Sequence, residues 1–269
     1  MKLGLTPDQL LERRKGIGGS DARKIVDGEW YELWLDKTGR KEPEDLSRVL
    51  AVQMGNATEE FNAYWYTLTT GRYVTCRGMV RQSRAHPFMR CSLDGLACDD
   101  DKPVHDADTV WQAKHVNAFS KIEEVVARYT PQVTHEMIVC GLSMAVLSVF
   151  IGTDKYEAVE IEIDEFFAAQ YVESCKRFWG FVERDEEPPG GPALAVPTAP
   201  EKMRKVSMAD SNVWGNYAAL WLSHKLPAEV FADATKRLKE LVEADVSEAS
   251  GHGIIAKRDK RGLSIKEVK

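Results

Sequence analysis

Residues 186–200 read EEPPGGPALAVPTAP, a run in which no regular element survives. Each proline fixes φ and removes a backbone donor, and the paired glycines Gly190 and Gly191 loosen what lies between. The 269-residue chain is therefore divided into a core of 1–187, a Pro/Gly linker of 188–200 and a C-terminal piece of 201–269. The core segment alone is long enough to bury a full α/β interior.

Within it the punctuation is legible. Thr6-Pro7-Asp8 supplies an N-cap and a proline at the first helical position, opening a helix that runs to Arg13-Arg14-Lys15 and stops at Gly16. Gly18-Gly19-Ser20-Asp21 reads as a tight turn feeding a helix from Ala22, and Trp30 to Asp36 as another. A long helix spans about Leu46 to Thr69, with Val49, Val52, Ala57, Phe61 and Tyr64 as its apolar stripe. Residues 72–80, 87–91 and 109–116 read as strands and Tyr129 to Gly141 as a helix. Residues 146–151 and 156–163 form a hairpin whose second arm alternates Val159, Ile161 and Ile163 with Glu160 and Glu162. A helix capped by Asp164 carries Phe167, Tyr171, Cys175, Phe178 and Val182 along one face. Beyond the linker, helices at 207–224 and 228–249 precede a hairpin from Gly253 to Val268 turning at Lys260-Arg261-Gly262. The pattern is α/β (α+β): a central mixed sheet flanked by helices, with a small helical and hairpin extension.

A net charge of −6 does not by itself advertise a polyanionic partner, but local clusters do. Arg72, Arg77, Arg81, Arg84 and Arg90 fall in a stretch without an acid; Arg13, Arg14, Lys15, Arg23 and Lys24 form a second group, and the C-terminus holds a third. The five cysteines show no CxxC spacing, which argues against a zinc or iron–sulfur site and suits reduced thiols. MKLGLTPDQLLERRKG lacks the apolar core of a signal peptide, and the apolar run Leu142 to Ile151 is too short to span a bilayer. The expected location is the cytoplasm.

Gln112 and Lys114 lie two apart on one strand, so their side chains share a face. Asp94 follows an apolar strand and precedes Gly95, which allows a sharp turn beside it. Glu59 sits four residues after Gly55 in the long helix, with Glu60 an equal candidate by composition. With a glutamate at 112, Asp94…Glu-x-Lys114 would be a phosphodiesterase pattern: hard oxygen ligands hold Mg²⁺, and the lysine serves the attacking water and the charge growing on phosphate. The Ala113 backbone carbonyl offers a further oxygen.

Arg13…GIGGSDA (16–22), GNATEE (55–60), CSLDGL (91–96), the 112–114 segment and YTPQVTHEMIVCG (129–141) together resemble the phage lambda-type exonucleases, or YqaJ viral recombinases. These belong to the restriction-endonuclease-like PD-(D/E)xK superfamily. The resemblance covers about residues 10–187. It implies a 5′→3′ exonuclease of phage or prophage type that leaves 3′ overhangs for recombination. It also implies one or two Mg²⁺ (or Mn²⁺) ions per site, duplex ends with a 5′-phosphate as substrate, and a homo-oligomer, typically a trimeric ring. A single-strand annealing protein is the implied further partner, and no membrane is involved. By the same resemblance Asp94, position 112, the Ala113 carbonyl and Glu59 would hold metal, and Lys114 would serve water. Arg13, Ser20 and Ser92 would grip the 5′-phosphate, while Gln132, Tyr129 and His135 would support the site from the next helix. A helix-opening turn around Ser20 suits a phosphate on general grounds; equally, Ser20 fits a simple N-cap and His135 a satisfied core histidine.

The departure is Gln112, where the family carries Glu. An amide keeps the shape, loses a full charge and retains only its carbonyl as a ligand, so metal binding and cleavage are weakened. Two origins fit: a natural variant that binds DNA ends without much cleavage, or a deliberate Glu→Gln exchange. The intact Asp94 and Lys114 favour the second, since a decaying gene loses those as well. A non-catalytic DNA-end-binding recombination protein is the alternative function.

Overall fold

The computed structural model describes residues 7–99, 106–197, 204–223, 228–259 and 262–268. It comprises two units: Met1–Ile163 with Phe167–Leu194, and Asp164–Phe166 with Ala195–Lys269.

In the first unit α1 (Pro7–Arg14), a 3₁₀ turn (Gly19–Asp21), α2 (Ala22–Val26) and α3 (Trp30–Lys37) precede the long α4 (Leu50–Thr70). Then come β1 (Tyr73–Thr75), β2 (Val80–Gln82), β3 (Arg90–Ser92), β4 (Gly95–Cys98), β5 (Thr109–Val116), α5 (Ile122–Cys140), β6 (Met144–Ile151), β7 (Lys155–Glu162) and α6 (Glu165–Glu183). Five strands form a sheet in the order β1-β4-β5-β6-β7, mixed as expected. β5 and β6 run parallel, which requires a crossover, and α5 supplies it. β2 and β3 pair separately.

The segment 72–80 is not one strand. Cys76 (φ 56°) and Gly78 (φ 69°) turn the chain, with Gly78 N–H bonded to the Leu93 carbonyl, and this swings β2 off the main sheet. Gly95 does not make a turn either; it opens β4. A Cβ there would run into Val74 and lie 3.3 Å from the Trp111 ring, so the glycine is needed for close packing. α5 starts at Ile122, earlier than Tyr129, and continues through Pro131. Its buried face of Val125, Val133, Met137 and Val139 outweighs the lost backbone bond.

The orientation of α4 reverses the expectation. Its buried side is Asn62, Ala63 and Tyr66, and the last two join Trp111, Ala97 and Val146 in one apolar cluster. Asn62 fixes the helix rotation: its amide donates to the Ser148 carbonyl (3.0 Å) and accepts from Ser148 Oγ (2.6 Å). Phe61, Tyr64, Ala57 and Val49 consequently face solvent, and Leu50, Met54, Ala57, Phe61, Tyr64 and Leu68 form an exposed stripe spaced by four and three residues.

The start of the Pro/Gly run is docked. Pro188 is buried, and Gly191 and Leu194 N–H groups bond the Gly28 and Val26 carbonyls.

The second unit contains β8 (Arg204–Ser207), α7 (Asn212–Ser223), α8 (Ala228–Glu240), β9 (Val246–Gly251), β10 (Ile254–Asp259) and β11 (Gly262–Glu267). The sheet order is β11-β10-β9-β8, with β8 and β9 parallel. Residues 246–249, expected at the end of the 228–249 helix, are thus part of a strand, because pairing on both sides overrides local preference. Trp214, Trp221, Leu238, Val246 and Ile254 make its own core. The expected hairpin is present as β10 and β11; Lys260 and Arg261 at its turn, like Thr6, lie outside the described residues.

Candidate active site

Period-two alternation on β5 sorts its side chains. Trp111 and Ala113 turn toward α4, while Gln112 and Lys114 turn toward α5. Asp94 sits between β3 and β4, and its Oδ2 accepts from the Gln112 amide and from the Ala113 N–H (3.1 Å). Lys114 Nζ rests 4.7 Å over the Tyr129 ring. Burial pushes the Asp94 carboxyl above its ordinary range, against the pull of Lys114, the Ala113 N–H and Gln112.

Glu59, not Glu60, faces this group. Burial and then the Asp94 charge raise its carboxyl, while Arg77, 3.7 Å away, and Lys114 oppose the rise. Glu60 is exposed. Asn62 positions Glu59 one turn along α4, since its Nδ2 also lies 3.4 Å from the Lys114 carbonyl.

On α5, Gln132 Nε2 donates to Gln112 Oε1 (3.1 Å) and to Glu136 Oε1 (2.9 Å). Glu136 is 1% exposed, and its Oε2 is buried without a hydrogen-bond partner among the described residues. Burial, then the Asp94 charge, pushes its carboxyl up to about 8. His135 points elsewhere: its ring bonds the Tyr171 hydroxyl (2.9 Å) and the Arg90 carbonyl (2.8 Å), and burial lowers it to about 4. The structure therefore brings Asp94, Gln112, Ala113, Lys114, Glu59, Gln132 and Tyr129 together and places His135 in the core beneath.

Of the residues expected at a 5′-phosphate, Arg13 and Ser20 form a second group. Arg13 donates to Ser20 Oγ (3.1 Å), and both are exposed. Asp21 holds the turn: its carboxylate accepts the Gly18 N–H (2.7 Å) and pairs with buried Lys37 at 2.5 Å, while Lys37 also donates to the Arg13 carbonyl (2.9 Å). Ile17 exchanges backbone bonds with Phe88 and Arg90, which runs this segment beside β3, where Ser92 is exposed. Gly19 backs onto α5; a Cβ there would lie 2.6 Å from Glu136 Oε1. The two groups are thus joined through Gly19, Glu136, Gln132 and Gln112.

Sequence reasoning missed Asp21, Lys37, Asn62, Arg77 and Glu136. Only Asp21 had a local signal, as the residue three after Gly18 at a helix start. The others act across distant elements.

Among the described residues no three Asp, Glu, His or Cys side chains converge as a ready metal cluster; here the third oxygen-bearing side chain is the Gln112 amide. The donor set nonetheless suits a hard divalent cation. Asp94 and Glu59 are oxygen ligands whose carboxyls are raised by burial, and Asp94 raises that of Glu59 further, a repulsion that a bound cation relieves.

A mixed sheet with a parallel pair at its centre, flanked by α4 and α5, places the first unit in the restriction-endonuclease-like class of folds. Residues 10–143 match the YqaJ-like viral recombinase domain. It is 29% identical over 214 residues to the Bacillus subtilis (strain 168) protein YqaJ, an alignment covering 75% of this chain and 63% of that one, less than two thirds of the relative's length. In three dimensions it is similar to the alkaline exonuclease of Laribacter hongkongensis (TM-score 0.54, 18% identity, 67% of this chain and 94% of that one). The same enzyme in complex with dAMP matches at TM-score 0.53, with 20% identity over the same shares of the two chains.

Proposed function

We propose that the chain is a divalent-metal-dependent 5′→3′ exonuclease of phage-type recombination, acting on duplex DNA ends and weakened by Gln112. The observation that carries this is the convergence of Asp94, Glu59 and Lys114 around Gln112 of β5, linked to Arg13 and Ser20. The domain match and the fold likeness to an exonuclease support it.

Asp94, the Gln112 carbonyl, the Ala113 carbonyl and Glu59 would hold one or two Mg²⁺ or Mn²⁺ ions, which when bound polarise the phosphate and acidify water. Lys114, steadied on Tyr129, orients the attacking water and neutralises charge developing on the phosphate. Arg13, Ser20 and Ser92 take the terminal 5′-phosphate, which sets the starting register. Gln132 orients position 112. The exposed stripe Leu50, Met54, Phe61, Tyr64 and Leu68 favours association with further copies, consistent with a trimeric ring around the product strand. A single-strand annealing protein is the further partner that the resemblance implies, and the cytoplasm is the proposed location.

Gln112→Glu tests the reading: Mg²⁺-dependent loss of 5′-phosphorylated duplex from its ends should appear or rise steeply. A reverted protein that leaves such duplex intact at ample Mg²⁺ overturns the catalytic assignment. If it then binds duplex in a salt-sensitive manner without cutting, the chain is a DNA-end-binding protein.

A further inference from the structure

Gln112 donates an N–H to Asp94, so in this arrangement its carbonyl faces α5 and not the cation position. To act as a ligand the amide has to turn over. Its NH₂ then meets Gln132, which must offer an oxygen. The same Gln132 atom, Nε2, contacts both Gln112 and Glu136, so turning Gln132 over presents its Oε1 to both. Two acceptors cannot face each other at 2.9 Å, and Glu136 must then be a donor. Amide oxygen and nitrogen are nearly isosteric, so the heavy-atom positions serve both polarities.

We infer that Glu136 is a positioning residue: as the neutral acid it donates its O–H to Gln132, which accepts the Gln112 N–H, and the Gln112 carbonyl oxygen is thereby turned to the cation beside Asp94. The proton stays on Glu136 throughout, and no bond forms or breaks. The partnerless Oε2 fits this state, because a buried neutral carbonyl oxygen left unbonded costs far less than a buried carboxylate oxygen. Gly19 leaves the space that Oε1 occupies. The inference rests on the metal site proposed above.

Groups facing Glu136 are Asp94, Lys114 on β5, Cys91 on β3, Cys140 on α5 and Tyr171 on α6. The test is the affinity of the full chain for Ca²⁺ by titration calorimetry between about pH 6.5 and about pH 9, where Glu136 ionises. The parent should bind about tenfold more weakly at the alkaline end, the scale of a lost partner behind a ligand. Glu136→Gln, a permanent donor, should bind at least as well as the parent and show no such fall. Gln112→Glu should also be flat, since a carboxylate at 112 accepts from Gln132 without any turning over. Cys140→Ser should keep the parental fall. A fall that persists in Glu136→Gln, or that vanishes in Cys140→Ser, overturns the inference. So does weaker binding by Glu136→Gln at about pH 6.5, which would make Glu136 a source of charge. Asp94→Asn separates the two readings: if it leaves Ca²⁺ binding unchanged, the metal site itself is wrong.

Discussion

The most quantitative consequence of the site concerns stability, not turnover. Glu136 ordinarily titrates at 4.5, and burial followed by the Asp94 charge moves it to about 8 in the folded chain. The folded state then binds the proton more tightly than the unfolded state. This contribution is complete below pH 4.5, erodes as pH rises to about 8 and is flat above. At about 1.36 kcal/mol per pH unit, the loss is roughly 5 kcal/mol at most, and water drawn in by the ionised carboxylate reduces it toward 2–3 kcal/mol. Glu136→Gln removes the titration and keeps the shape. Urea unfolding of parent and variant, with chelator present, should show the variant gaining about 2–4 kcal/mol relative to the parent between pH 5 and pH 8.5. Taking the difference cancels groups common to both. Among them is His135, whose folded value is depressed to about 4, so that it costs stability as pH falls below 6.5. A difference that stays constant within about 0.5 kcal/mol across the range would refute the reasoning.

Other outcomes follow from single contacts. Lys37→Met leaves the buried Asp21 carboxylate with only the exposed Arg13, 3.8 Å away, and should cost about 3–5 kcal/mol in chemical denaturation. Gly95→Ala forces a Cβ onto Val74 and the Trp111 ring and should cost about 1–3 kcal/mol by the same assay, with a lowered Tm. In the Gln112→Glu background, Lys114→Met should slow end-digestion about 10²–10³-fold in single-turnover assays while Ca²⁺ binding survives. Arg13→Ala should erase any preference for 5′-phosphorylated over 5′-hydroxyl ends without unfolding the chain, since its side chain is exposed.

Where local rules and tertiary demands coincide, the sequence was readable. The alternation on β5 put Gln112 and Lys114 on one face, and the mixed sheet and the first helices lie where their caps and periodicities place them. Where they conflict it was not. The apolar residues of α4 look like a packing stripe, but Asn62 and its bonds to Ser148 turn that stripe outward. Gly95 has the look of a turn, yet it is a packing gap beneath Trp111. The helix expected from Tyr129 begins at Ile122, which puts Pro131 in mid-helix. Residues 246–251 have no strong strand signal and are held as a strand by neighbours on both sides. Glu59 and Glu60 differ in nothing but the angle of a helix that only the fold determines. Glu136 sits in an apolar run where nothing marks a carboxyl as special. Its character comes from Gln132, Asp94 and Gly19, which no spacing rule connects.

Gly19 has a consequence for how sequences of this kind diverge. Its backbone lies so close to Glu136 that a methyl group at 19 and a carboxyl oxygen at 136 compete for one volume. The two positions are therefore expected to vary together. Relatives with any side chain at 19 should carry a residue shorter than Glu at 136, and those with the long acid should keep glycine. The turn beside Ser20 and the helix behind Gln112 cannot drift independently.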